Sequence, residues 1–264
     1  MRYFLELSFN GKNYHGWQTQ PNAVSVQATI ESALSKIMRS SVLITGAGRT
    51  DTGVNARQMY AHFDTDVQIQ DIFSFLTSLN SLVGKDIYIK NVFPVEDSLH
   101  ARFDACERSY KYFVTFKKSP FLNEISWRSP SSLDIEKMNE AANLLLRVND
   151  FTSFAKLHSD NKTNICDVRE ACWRPLQDDP EAFRFLGALD DGIVFTITAD
   201  RFLRNMVRAI VGTLIEVGRD KLSVAGFSEI INQKNRNLAG TSMPPQALFL
   251  WEIKYPESRF LNNI

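Results

Sequence analysis

Cysteine is scarce in this chain and forms no pattern. Cys106, Cys166 and Cys172 are odd in number and include no C-x-x-C pair. That excludes a disulfide framework and a cysteine-based zinc site, and it fits a reducing compartment, so the expected location is cytoplasmic. A surplus of charge is also missing, because 30 Lys and Arg balance 30 Asp and Glu. No uniformly basic coat is available for nucleic acid. A local basic cleft stays open to the chain, since charges beyond about 8 Å are screened at physiological salt. No apolar run approaches the ~20 residues that a bilayer span needs, so no membrane partner is expected. The opening Met1-Arg-Tyr-Phe-Leu-Glu6 carries charge inside its apolar run and reads as a first strand, not a signal peptide. His15, His62, His100 and His158 have no metal-like spacing, and we expect them to be structural or cleft-lining, with no metal bound. No Ser-His-Asp order stands out, and the lack of a second placed carboxylate argues against a glycosidase.

What is present is enough for one large domain or two modest ones: 264 residues, 44% of them hydrophobic. The most informative stretch is Gly46-Ala-Gly-Arg-Thr-Asp-Thr-Gly-Val54. It follows the short apolar run Ser41–Thr45 and precedes Arg57–Phe63, so it reads as strand, glycine-rich loop, strand. Gly46, Gly48 and Gly53 allow a tight turn or a close approach to another surface. The loop could hold the Asp51 carboxylate at a cleft, with Arg49 two residues away keeping it ionised, as a nucleophile or base requires. An ordinary glycine turn with a surface Arg/Asp pair fits the spacing equally well. No Gly-Lys-Ser/Thr and no helix pattern follow, which excludes a Walker A loop and a dinucleotide fingerprint.

The rest of the pattern is α+β. Tyr3, Leu5, Leu7 and Phe9 alternate with polar residues in a half-buried strand. Ser25 and Asp71 are placed to cap helices carrying Val26, Ile30, Leu34 and Ile37, and Ile72, Phe75, Leu76 and Leu79. With a strand at Ile87 and Ile89, the first hundred residues read β-α-β-β-α-β. His100–Asp104 is a connector and the expected boundary, giving subdomains 1–103 and 104–264. Ser109–Phe116 is a strand, and Asp134 caps a helix through Met138, Ala141, Leu145 and Leu146. Strands are expected near 164–174, 182–186 and 193–199, the last two joined by a hairpin at Asp190-Asp-Gly192. A helix at 202–217, a second at 224–232 and a last strand from Ala247 to Ile253 repeat the element order of the first half.

Two groups could complete a site. Arg201, Arg204 and Arg208 share a face of the expected 202–217 helix. They form either a solvated basic face or, through Arg208, a partner for Asp51. Tyr110 shares a strand face with Tyr112, Val114 and Phe116. Tyr112 and Phe116 read as core, whereas Tyr110, beside the connector and Arg108, could stack on a base or shuttle a proton.

Together these residues resemble the tRNA pseudouridine synthase A family. The blocks that carry the resemblance run along nearly the whole chain: Tyr14–Gln18, Ser25–Gln27, Ala47–Val54, His100–Phe103, Arg108–Tyr112, Asn149–Phe154, Phe202 to Gly212, and the last strand. The resemblance implies two similar ferredoxin-like α/β halves with largely antiparallel sheets around a central cleft. It implies a catalytic Asp51, a Tyr110 that packs on the target base and aids proton transfer, an Arg208 paired with Asp51, and an Arg49 that shapes the site and places RNA. It further implies a homodimer without cofactor that isomerises uridines 38, 39 and 40 of the tRNA anticodon stem-loop. Thr52, Asn55 and Ala247 depart from the family's usual Ala, His and Gly. Asn55 would change an RNA contact, and Ala247 the backbone approach to the uracil.

The chemistry suits these residues. Pseudouridine formation breaks N–C1′, turns the uracil and joins C5 to C1′, with no redox change and no cofactor motif required. Asp51 either attacks C1′ or abstracts the 2′ proton. Arg49, Arg57, Arg201 and Arg204 are the candidates for phosphate contacts. Two rivals are a non-catalytic RNA-binding module and a hydrolase that would release free uracil.

Overall fold

The computed structural model describes residues 1–157, 162–186 and 191–256. His158 and Asp190 lie outside the described residues. Along the chain run β1 (Arg2–Phe9), α1 (Val26–Met38), β2 (Thr45–Gly46), β3 (Asn55–Asp64), α2 (Ile72–Leu82), β4 (Ile87–Val95), β5 (Glu107–Thr115), β6 (Trp127–Arg128), α3 (Ile135–Leu144), β7 (Val168–Pro175), α4 (Pro180–Leu186), β8 (Gly192–Ala199), α5 (Met206–Gly218), α6 (Val224–Gln233) and β9 (Leu248–Lys254). The chain is thus mixed α and β, as its pattern suggested. It divides into two compact units, Met1–Arg108 with the chain from Leu250 on, and Ser109–Phe249.

In the first unit the strand order is β4-β1-β3-β9, with β2 beside β3. β1 runs antiparallel to both β3 and β4, with Tyr3 opposite Phe63 and Phe4 opposite His62 and Phe93. Alternation therefore sends Tyr3, Leu5, Leu7 and Phe9 to one face, where all are buried. The helices begin where the caps indicate: the Ser25 hydroxyl accepts from Ala28 N–H at 3.2 Å, and an Asp71 carboxylate oxygen accepts from Ser74 N–H at 3.0 Å.

Ser41–Thr45 departs from its expected strand, because only Thr45 and Gly46 pair with β3. The groups of the preceding residues are taken by α1 instead. Val42 N–H donates to Ser35 Oγ at 3.0 Å, Ile44 N–H to Glu31 Oε1 at 3.0 Å, and Gln27 Nε2 donates to Ile44 O at 3.1 Å. Side chains of a helix satisfy what a ladder would have satisfied.

The other face of β1 is partly covered, with Glu6 and Ser8 half-buried. Phe4 is fully buried among Tyr60, His62, Phe93 and Tyr255, with ring centroids 5.8–6.4 Å apart. His62 sits in this layer, and its Nδ1 accepts from Ala101 N–H at 3.1 Å. Burial, then the nearby Arg2 and His100, pull its pKa from 6.5 down to about 4. The unfolded chain therefore binds more protons than the native one between those two values, so stability rises with pH across the window. We expect the native state to lose about 2 kcal/mol as pH falls from 6.5 to 4. His62→Gln, compared with the parent by urea unfolding at pH 7 and 4.5, should flatten that slope, and an unchanged slope would remove His62 as its source.

In the second unit the order is β5-β8-β7. β7 and β8 are antiparallel, and β6 adds to β5 in parallel. α3 packs on β7 and against α5 and α6. Asp134 caps α3, accepting from Lys137 N–H at 3.0 Å. The helix tightens into a 3-10 turn at Leu145, so Leu145 is buried while Leu146 turns out to 42% exposure.

Two further expectations are corrected here. Residues 182–186 are helix α4, not a strand: Asp179 and Pro180 start it, with an Asp179 carboxylate oxygen accepting from Ala182 N–H at 3.0 Å. The expected hairpin between two strands at 190–192 therefore falls away, and β8 pairs with β7 across the α4 insertion. The helix expected from 202 starts at Met206, because Asn205 adopts a left-handed φ of 65°. Asn tolerates that conformation, and it breaks the helical path. Phe202 and Leu203 keep helix-like apolar spacing as loop residues.

Candidate active site

Asp51 lies on the loop between β2 and β3, and the segment 11–17 holds that loop in shape. Trp17 N–H donates to Thr50 O at 3.3 Å, and Gly53 N–H to Tyr14 O at 3.3 Å. Within the loop, Val54 N–H closes a turn on Asp51 O at 3.1 Å. The glycines divide the work. Gly53, at φ 76°, makes the turn. Gly46 makes the close approach, since a Cβ there would lie 2.4 Å from the buried Trp17 ring. Gly48 does neither: its φ is ordinary, and nothing lies within 4 Å of an added Cβ. Glycine in the partner segment matters as much. Gly16 has φ 88°, and a Cβ on it would sit 2.4 Å from Thr50 O.

Asn55, the departure expected to change an RNA contact, is buried, and its Oδ1 accepts from Gly11 N–H at 2.8 Å. It ties the start of β3 to the segment that holds the loop. Thr52 is exposed and Asp51 half-buried. Arg49 is exposed on the same loop as Asp51. Arg57, on β3, is half-buried with its guanidinium 4.7 Å above the Trp251 ring.

The remaining candidates belong to the second unit. Tyr110, on β5, is half-buried and meets the Phe202 ring edge-on at 5.0 Å. Its strand neighbours Tyr112 and Val114 are core, with the Tyr112 hydroxyl donating to Pro244 O at 3.1 Å. Arg201 and Arg204 do not share a helical face with Arg208. They lie on the approach to α5, while Arg208 is in its first turn. The Arg208 side chain is steered by a loop: Nε donates to Met243 O at 2.6 Å, and Met243 N–H returns a bond to Arg208 O at 3.1 Å. Gly212 lets this loop lie against α5, since a Cβ there would fall 1.9 Å from Thr241 O. Ala247 is buried at the end of the same loop.

Sequence reasoning missed Arg236, whose guanidinium donates to Ser242 Oγ at 2.9 Å and to Gly240 O at 3.2 Å and so braces that loop. With Lys156 and Asn205 it lines an open hollow of about 450 Å³. Among the described residues, no three of His, Cys, Asp and Glu are grouped to hold a metal ion. Burial pushes the Cys166 thiol up to about 12, so it is not a thiolate at neutral pH. No helix of the described residues is long and apolar enough to cross a membrane.

A family model described as tRNA pseudouridine synthase matches residues 141–256. Relatives named tRNA pseudouridine synthase A match over almost the full length. That of Parabacteroides distasonis is 51% identical over 259 residues, 98% of each chain. That of Bacteroides thetaiotaomicron is also 51% identical, over 98% of this chain and 92% of its own. The chain belongs to the tRNA pseudouridine synthase A family. A more distant relative, from Colwellia psychrerythraea, is still 35% identical over 98% of this chain and 95% of its own. In this member of the tRNA pseudouridine synthase A family, the Tyr14–Gln18 block holds the Asp51 loop. The Met206–Gly212 block presents Arg208 and admits the loop that orients it.

Proposed function

We propose that this protein isomerises uridine to pseudouridine in tRNA, at positions 38, 39 and 40 of the anticodon stem-loop, with Asp51 as nucleophile at C1′ or base at the 2′ position. The observation that carries the reading is 51% identity, over 98% of the chain, to a relative named tRNA pseudouridine synthase A. The Asp51 loop supports it: a carboxylate on a loop braced at Ala47, Thr50 and Gly53 is a fixed group of the kind that covalent or base catalysis needs. Tyr110 packs on the extruded uracil and aids removal of the C5 proton, and Arg208 supplies a cation to the same reaction. Extruding the base costs a few kcal/mol, and stacking on an aromatic ring returns ~1–3 kcal/mol. Arg49, Arg201 and Arg204 contact phosphates. Arg57, already placed over Trp251, contributes less. The protein acts in the cytoplasm as a homodimer, each subunit having a subdomain 1–103 with the Asp loop and a subdomain 104–264 whose last strand returns to the first unit.

Purified protein incubated with an unmodified tRNA transcript, without added metal or cofactor, should form pseudouridine confined to positions 38–40. Tight tRNA binding without product would favour a binding module, and release of free uracil would favour a hydrolase.

A further inference from the structure

Arg108 is a cation that neither the proposed reaction nor the proposed phosphate contacts use, and three of its bonds are those of a brace. Its Nη1 donates to Ala105 O at 2.6 Å. Its Nη2 donates to Arg102 O at 2.7 Å and to Ala47 O at 3.1 Å. Two of these carbonyls belong to the connector that follows β4, and the third opens the Asp51 loop. The peptide group after Ala47 is thus held through its carbonyl, while Ala47 N–H donates to Tyr60 O at 2.8 Å. Further on, Thr50 O takes Trp17 N–H. The connector is itself anchored, with Ala101 N–H on His62 Nδ1 at 3.1 Å and the Tyr255 hydroxyl on Ala101 O at 2.5 Å. It is therefore a fixed body against which the loop can be set.

We propose that Arg108 is a positioning residue for Asp51, clamping the entry of the catalytic loop to the connector. The inference rests on the proposed role of Asp51. A planar guanidinium with five fixed donors can bridge three carbonyls on two segments, whereas a lysine ammonium is a single point that cannot span them. Arg108 thus acts through backbone geometry and not through a phosphate.

The test is Arg108→Lys beside Arg108→Ala, with three readouts. Amide hydrogen exchange should accelerate across 47–51 in both variants. The single-turnover rate on tRNA should fall about 10²-fold, the scale of a 1 Å displacement of a reacting group. The tRNA Kd and its salt dependence should stay within twofold of the parent. Loss of tRNA affinity with a salt slope reduced by about one would make Arg108 a phosphate ligand and overturn the proposal. Unchanged exchange and an unchanged rate would overturn it too. If Arg108→Ala does not fold, Arg108→Lys, which keeps the charge, decides alone. A parent protein that forms no pseudouridine would instead fail the functional reading, and the exchange data would still decide whether Arg108 holds the loop.

Discussion

Asp51→Asn is expected to lower pseudouridine formation by at least about 10³-fold while tRNA affinity changes less than about twofold. Asn keeps the size of the side chain and removes only its charge and basicity. Three of the bonds that shape the loop are backbone ties: Trp17 N–H to Thr50 O, Gly53 N–H to Tyr14 O and Val54 N–H to Asp51 O. None of these three depends on the carboxylate, so Asn at this position keeps them. Attack at C1′ and abstraction of the 2′ proton both need an ionised carboxylate, so the loss does not depend on which route operates. Single-turnover assays with saturating enzyme isolate this step from binding. Substantial residual product would remove Asp51 from the chemistry. Equal loss of rate and affinity would mean that the carboxylate organises the RNA site.

Periodicity and capping chemistry made much of the fold legible. Ser25, Asp71 and Asp134 each accept from the amide three residues on, so their helices start where the residue types indicated. Failures came where side chains or single backbone angles override a local pattern. Ser41–Ile44 has strand composition, yet Glu31, Ser35 and Gln27 of α1 take its backbone groups. Phe202 and Leu203 continue the spacing of α5, yet the left-handed Asn205 holds them outside it. Residues 182–186 look like a strand until Asp179 is seen as a cap. At the site, the glycine-rich spacing found the Asp51 loop without showing what holds it. Gly46 and Gly53 have opposite duties, one facing Trp17 and one turning the chain, and Gly48 has neither. Asn55 looked like a departure at the RNA surface because sequence carries no depth, and it is a buried acceptor for Gly11. The bonds of Arg108 could not be read beforehand, because donation to backbone carbonyls leaves no mark in a sequence.

The largest expected loss of stability comes from Lys111→Met in the second unit, about 3–5 kcal/mol. Lys111 on β5 and Asp179 at the start of α4 form a buried ion pair, only 6% and 8% exposed. Burial acts to raise the Asp179 carboxyl, but the Lys111 hydrogen bond and the Ala182 amide outweigh it, so its pKa lies below the ordinary 3.8. The stability it contributes is present above that value and is lost as pH falls through the lower native one. Removing the ammonium leaves a carboxylate in a dry site, and that stranded charge is the main cost. The double variant Lys111→Met with Asp179→Asn separates the two effects. Asn keeps an oxygen for Ala182 N–H, so the cap survives, and no charge is left behind. It should therefore be at least about 2 kcal/mol more stable than Lys111→Met alone, because a buried pair contributes little beyond neutral side chains of similar volume. Urea unfolding of the parent, both single variants and the double variant reads this directly. A double variant as unstable as Lys111→Met would show that the cost lies in lost packing of the lysine stem and not in the unpaired Asp179.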